Sequence, residues 1–314
     1  MPVSAAPVPL SVLDLAPVVE GSTPAAALAC SLDLARRVEA LGFHRYWVAE
    51  HHNMPGIASS APAVLIAHLA AGTSTLRVGS GGVMLPNHAP LVVAEQFGTL
   101  EALHPGRIDL GLGRAPGSDQ LQELDAYFEG RVEGIHAVPG EGSKPAIWLL
   151  GSSGYSAQLA GLLGLPFAFA HHFSPRNTLP AIELYRSRFT PSATLAEPQL
   201  MVCAAVVCAP TDEEARFLFS SNRVSIRNLR LGTPSRLPSP EDASRVVLTA
   251  QEATVVDDHC AGYVVGGPEA VRQGIDRLLA ETGADELMVS TSTFRHADRV
   301  RSYELLAGLY AVAP

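Results

Sequence analysis

Four short clusters carry most of the residues that could do chemistry: Ala49-Glu50-His51-His52-Asn53, Gly79-Ser80-Gly81-Gly82, Gly111-Leu112-Gly113-Arg114 and Gly151-Ser152-Ser153-Gly154-Tyr155. An unperturbed imidazole titrates near pH 6.5, so a histidine beside a carboxylate can accept or deliver a proton under ordinary conditions. Adjacent residues of a strand point to opposite faces, which lets only one of His51 and His52 look straight into a pocket. A histidine pair beside Glu50 could instead bind metal. Against that, Leu10 to Val19 lacks His-x-His, and neither HExxH nor a close carboxylate set completes three ligands. Gly151 to Ser156 reads as a strand running into a Gly/Ser turn at a helix start, where free backbone N–H groups favour an anion. Arg114 could add a bidentate contact to that anion, or the cluster could be a capped helix beside a solvated arginine. Glycines at 79, 81 and 82 suit close approach of a flat ligand, or alternatively a β-bulge at a barrel rim. His171 and His172 are pocket donors or rim residues. The nucleotide signatures GxGxxG and GxxxxGK[ST] are absent, as is GxSxG of serine hydrolases.

The elements that must position these clusters alternate strictly. Strand-like runs at Leu10–Val19, His44–Glu50, Leu76–Leu85, Arg107–Gly113, Ala146–Leu150, Phe167–Ala170, Leu200–Cys208 and Glu286–Ser290 are separated by segments of helical period. Pro24 opens the first helix, which stops at Gly42, and later helices are read at Ala61–Ala71, Pro90–Leu103, Ser156–Leu163, Leu179–Phe189, from Asp212 towards Leu229, Pro268–Glu281 and Ala297–Leu309. Residues 232–259, with Pro234, Pro238 and Pro240, break the rhythm and read as an excursion from the fold. Eight such units predict an α/β chain folded as one (β/α)8 TIM barrel over residues 1–314, with an insertion near 232–259. In that fold the reactive site lies at the carboxyl ends of the strands, and all four clusters fall there.

Composition narrows the partners. Hydrophobic residues make up 47% and charged residues 17% of the 314, enough for a large core. A net charge of −9 with no Lys/Arg cluster argues against nucleic acid and anionic membrane and for a small-molecule substrate. Cys30, Cys203, Cys208 and Cys260 form no CxxC pair, which suits buried thiols in a reducing, cytoplasmic setting. The first nine residues do not read as a leader, and no window approaches a membrane span.

At this point the residues resemble the bacterial-luciferase-like flavin monooxygenases, in the single-chain branch described as alkanal-monooxygenase-like. The similar text includes Leu10-Ser-Val-Leu-Asp-Leu-Ala-Pro17, Ala40 through Gly56 with Glu-His-His-Asn at 50–53, and Arg77-Val-Gly-Ser-Gly-Gly-Val-Met-Leu-Pro-Asn-His-Ala-Pro90. It continues through Ala94–Leu100, His104–Gly117, Trp148–Ser153 and Gly283–Val289, so it touches most barrel units. The resemblance implies a barrel that binds FMN as FMNH2 delivered by a separate flavin reductase and uses O2 to oxygenate an aldehyde, ketone or similar molecule. By position it makes His51 the acid/base, puts Gly81-Gly82 at a non-proline cis peptide under the flavin ring with Glu50 and Ser80 beside it, and assigns phosphate to Arg114, Gly151, Ser152, Gly154 and Tyr155. His52, Asn87, His88, His171 and His172 become candidate substrate-pocket residues. Deazaflavin F420 chemistry and a non-catalytic flavin-binding role stand as alternatives, and relatives commonly pair as homodimers. One departure is plain: only Ser118 to Lys144 stands where relatives carry a longer segment that can close over the pocket. Arg131 is a substitute for any phosphate-binding arginine lost with it.

Overall fold

The computed structural model describes residues 4–5, 8–114 and 116–311, so most of the amino-terminal stretch read for a leader lies outside the described residues. Eight parallel strands close on themselves: β1 Leu10–Asp14, β2 Arg45–Val48, β3 Arg77–Ser80, β4 Ile108–Gly113, β5 Ala146–Gly151, β6 Phe167–Ala170, β7 Leu200–Cys208 and β8 Glu286–Ser290. They pair in chain order, β8 returns to β1 through Val289–Val12, and β6 meets β7 through Phe167–Leu200. Helices α1 Pro24–Ala40, α2 Pro62–Ala71, α3 Pro90–Leu103, α4 Ser118–Phe128, α5 Gly154–Leu163, α6 Thr178–Arg188 and α7 Asp212–Arg230 follow the strands. This is the expected (β/α)8 barrel.

The period-two pattern decides which side chains fill it. On β2, Tyr46 and Val48 belong to the layer under the helices, whereas Trp47 joins Leu13, Trp148, Met201, Cys203 and Met288 inside the barrel. Trp47 and Trp148 meet edge to face with centroids 5.6 Å apart. Below them Arg45, 5% exposed, donates to Asp109 at 2.8 Å and Glu286 at 2.7 Å, and Trp47 Nε1 donates to Asp109 at 2.9 Å. Polar plug and tryptophans together close the amino end, leaving the carboxyl end as the open one.

Several element boundaries differ from the sequence reading, each for a visible reason. The first strand ends at Asp14 because Ala16 takes φ +49° and gives its amide to the Asp14 carboxylate at 2.7 Å. The third strand stops at Ser80; the Gly81–Gly82 peptide is cis, and pairing resumes at Val83–Met84 against Leu112–Gly113. Side chains are sterically barred there: a Cβ on Gly82 would sit 2.7 Å from the Gly111 carbonyl oxygen, and one on Gly111 2.0 Å from that of Ser80. Glycine at these positions therefore lets the backbones of β3 and β4 approach closely.

Three helices were not legible. The 118–144 segment contains α4, capped at Gly117, which packs Leu121, Leu124 and Phe128 into the helix layer. The excursion at 232–259 contains a short helix, Pro240–Ala243, and α8, Ala250–His259, opened by a Thr249/Glu252 capping box. Three arginines of α7 fasten α8: Arg223 to Asp257 at 2.6 Å, Arg227 to Glu252 at 2.7 Å and Arg230 to His259 at 2.6 Å. A three-residue strand, Val264–Gly266, pairs outside β7 before α9 Pro268–Thr282 and α10 His296–Leu309 finish the ring. No described helix is long and apolar enough to cross a membrane, and the four cysteines are free.

Candidate active site

Glu50 organises the open end. Two residues beyond β2 it is 2% exposed, and its Oε1 accepts from His52 Nε2 at 2.7 Å and His88 Nε2 at 2.8 Å, while Oε2 accepts from the Met84 amide at 2.9 Å. Burial alone would raise its pKa, but the hydrogen bonds from His52, Met84 and His88 outweigh it and hold the carboxyl below its ordinary value. An ionised Glu50 thus ties together the ends of β2 and β3. With three protein donors on its two oxygens, it braces these elements against one another.

His51 shares strand parity with Trp47 and Ala49, which face the interior. Its amide donates to the Ser59 carbonyl at 3.0 Å, and its Nδ1 is buried without a hydrogen-bond partner. Burial, then the neighbouring His52, pushes its pKa below 6.5, so the ring is neutral at pH 7. The split between the two histidines follows the alternation argument: His51 turns inward, and His52, with its side chain half exposed, turns to Glu50.

Arg114 lies at the end of β4 with φ +59°, its side chain exposed and its Nη1 3.6 Å from Met84 Sδ. Met84 therefore joins the Glu50 cluster to Arg114. The Leu112–Leu149 register sets the next strand end, Gly151, alongside. There Ser153 stands as N-cap of α5 with no side-chain bond into the helix, so the first-turn amides are open, and Tyr155 is 53% exposed. Gly151 has no room for a side chain, since a Cβ would lie 2.5 Å from that of Ser156.

The other sequence candidates divide. Ser80 is fully buried, its hydroxyl donating to the Gly111 carbonyl at 2.8 Å and accepting from the Gly111 amide at 3.0 Å, so it staples β3 to β4 and presents no side chain to a ligand. Asn87 is exposed and reaches only Met84 Sδ, at 3.6 Å. His171 bonds Thr178 Oγ1 at 2.8 Å. His172 is 5% exposed and donates from Nδ1 to the Cys203 carbonyl at 3.1 Å; burial drops its pKa to about 4 and keeps it neutral. Arg131 is corrected as a phosphate substitute, because Asp125 and Glu129 already hold it.

Sequence reasoning missed the residues that enclose His51. A cavity of about 180 Å³ beside it is walled by Met54 and Ile57, by Asn222, Ser225 and Ile226 of α7, and by Pro234, Ser235, Leu237 and His259 of the excursion. Only the proline-rich break after α7 pointed there.

Comparison with known proteins places this geometry. A family model described as luciferase-like monooxygenase matches residues 9–125 and 120–286, two stretches that meet inside the shortened segment. The Bacillus subtilis (strain 168) protein YvbT is 52% identical over 323 residues, covering 96% of each chain. A luciferase-like monooxygenase of Escherichia coli (strain K12) is 50% identical over 317 residues, covering 94% of this chain and 95% of its own. The structure of apo-MsnO8 superposes with a TM-score of 0.88 at 39% identity over 98% of this chain and 99% of its own. The fold extends to the oxygenating constituent of 3,6-diketocamphane monooxygenase in complex with FMN, at 19% identity and TM-score 0.68. It also extends to an F420-dependent secondary alcohol dehydrogenase, at 15% and 0.69. The chain belongs to the luciferase-like monooxygenase family.

Proposed function

We propose that the chain is an FMNH2-dependent monooxygenase of the two-component type, which receives reduced flavin from a separate reductase and oxygenates a small organic substrate such as an aldehyde or ketone. The observation that carries this reading is the convergence at one barrel mouth of a neutral, cavity-lining imidazole, a braced carboxylate and an uncapped helix start beside an arginine. The residues fit the cofactor. Among the described residues Arg114 pairs with no carboxylate, and with the open amides at Gly154 and Tyr155 and the Ser152 hydroxyl it makes a cradle for a phosphate. Gly81 and Gly82 offer a wall without side chains to a flat ring.

When bound, reduced flavin supplies the electron pair that activates O2, one oxygen atom passing to the substrate and the other leaving as water. The chain binds, orients and handles protons. Arg114 and the start of α5 fix the phosphate end; Glu50 holds His52, His88 and Met84 in place; the neutral His51, whose ring lines the cavity, takes or gives a proton at Nε2, the ring nitrogen that is not sealed by the protein. His51→Asn should lower the single-turnover rate of product formation about 100-fold or more while leaving reduced-flavin affinity within a few-fold. Unchanged rate and yield would remove the residue from the mechanism.

A further inference from the structure

The cavity beside His51 has a chemical character of its own. Among its lining residues are Leu15, Met54, Ile57, Ile226, Leu229 and Leu237, and none is Lys, Arg, Asp or Glu. This neutrality is built by the surrounding elements. α7 forms one wall yet carries Arg223, Arg227 and Arg230, none of which lines the cavity: Arg223 and Arg227 pair with Asp257 and Glu252 of α8, and Arg230 stands behind the lining ring of His259, bonded to its Nδ1 at 2.6 Å. Arg236, between the lining residues Ser235 and Leu237, stays out of the cavity and donates to the Ser22 carbonyl at 2.9 Å. The Asn222 amide nitrogen is committed to the Ser292 carbonyl at 2.9 Å.

Three titratable rings line it: burial raises the pKa of Tyr263 and keeps its phenol neutral, and the other two are His51 and His259. Burial depresses both pKa values, and in His259 the adjacent Arg230 adds to it, so both rings are neutral at pH 7. A charged group entering this space would shed water and find no counter-ion among the described lining residues. Size sets a second limit. An apolar cavity of about 150 Å³ holds one benzene ring, so about 180 Å³ holds roughly seven or eight non-hydrogen atoms.

We propose that this cavity is the substrate pocket and that it selects an uncharged, largely apolar molecule of roughly seven or eight non-hydrogen atoms, rejecting carboxylates and ammonium ions. The excursion at 232–259, clamped to α7, then sets specificity in place of the shortened 118–144 segment. Calling the ligand a substrate rests on the monooxygenase reading, but the preference itself is a binding property measurable without turnover.

The test is calorimetric titration of the full chain near neutral pH, alone and with saturating oxidised FMN, with heptan-2-one, heptanoate and heptylammonium. The ketone is expected to bind at least tenfold tighter than either ion in one of the two conditions. Affinity along the 2-ketone series from pentanone to undecanone should stop rising at about hexanone to heptanone. Ser225→Arg, which sets a cation on the α7 wall, should raise heptanoate affinity at least tenfold while changing ketone affinity less than threefold. Wild-type binding of heptanoate as tight as that of the ketone, no ketone binding in either condition, or no gain in Ser225→Arg would each overturn the proposal. A separate titration with reduced FMN keeps the two readings apart: ketone selectivity without flavin binding would leave this inference standing and remove the monooxygenase reading.

Discussion

His51 and Arg114 do different work, and each can be removed alone. Arg114 makes no ion pair among the described residues, so Arg114→Ala costs the fold little and should act on the cofactor's phosphate. Affinity for reduced FMN should fall about 10- to 100-fold, the worth of a charge-assisted bond, while affinity for reduced riboflavin stays unchanged; parallel anaerobic titrations check this. His172 adds a pH signature. Its pKa falls from 6.5 in the unfolded chain to about 4 in the folded one, so the unfolded state binds the extra proton between those values. Its contribution to stability is therefore complete above pH 6.5 and is lost as pH falls towards 4, by about 3 kcal/mol in all. Urea midpoints at successive pH values should show a shallower acid decline for His172→Gln than for wild type; identical slopes would refute it. At this scale Glu50-His51-His52 was legible because strand alternation and the position after β2 separate the two rings. Ser80 was misjudged because a serine hydroxyl in a glycine-rich run gives no sign of whether it faces a ligand or the next strand.

The elements repeat this contrast. Strands announced themselves as β-branched runs, and β7 is buried at all nine positions. Their ends did not, because Ala16 at positive φ and the Gly81–Gly82 interruption depend on the Asp14 side chain and on the neighbouring β4. The glycines of that wall make a sharp stability test. A methyl group at Gly111 would meet the Ser80 carbonyl at 2.0 Å, with the hydroxyl staple on the same residue, so Gly111→Ala should destabilise the fold by about 2 kcal/mol or more. Chemical denaturation measures this, and a variant within about 0.5 kcal/mol of wild type would mean the wall yields more readily than its packing implies. Helix α8 escaped the sequence reading because its support is tertiary: three arginines of α7 hold it, and nothing in residues 250–259 alone records their reach.

At the scale of the molecule, a plug of ion pairs and two tryptophans closes one end of the barrel and leaves the other for chemistry. Eight alternating units and the luciferase-like text were enough to read the barrel, because each unit carries its own period. The cavity beside His51 was hidden because it forms where α7 and the excursion fold over a mouth whose separate parts are far apart in sequence. The shortened 118–144 segment and the clamped excursion now stand as one arrangement, with the cover shifted to the α7 side. The central claim is that this mouth takes reduced FMN, and anaerobic titration of the full chain with reduced FMN, reduced riboflavin and reduced F420 tests it most directly. Saturable binding of reduced FMN at least tenfold tighter than both other cofactors is the expected result. Preference for reduced F420, or equal binding of riboflavin and FMN, would contradict the phosphate cradle at Arg114 and α5 and the account built on it.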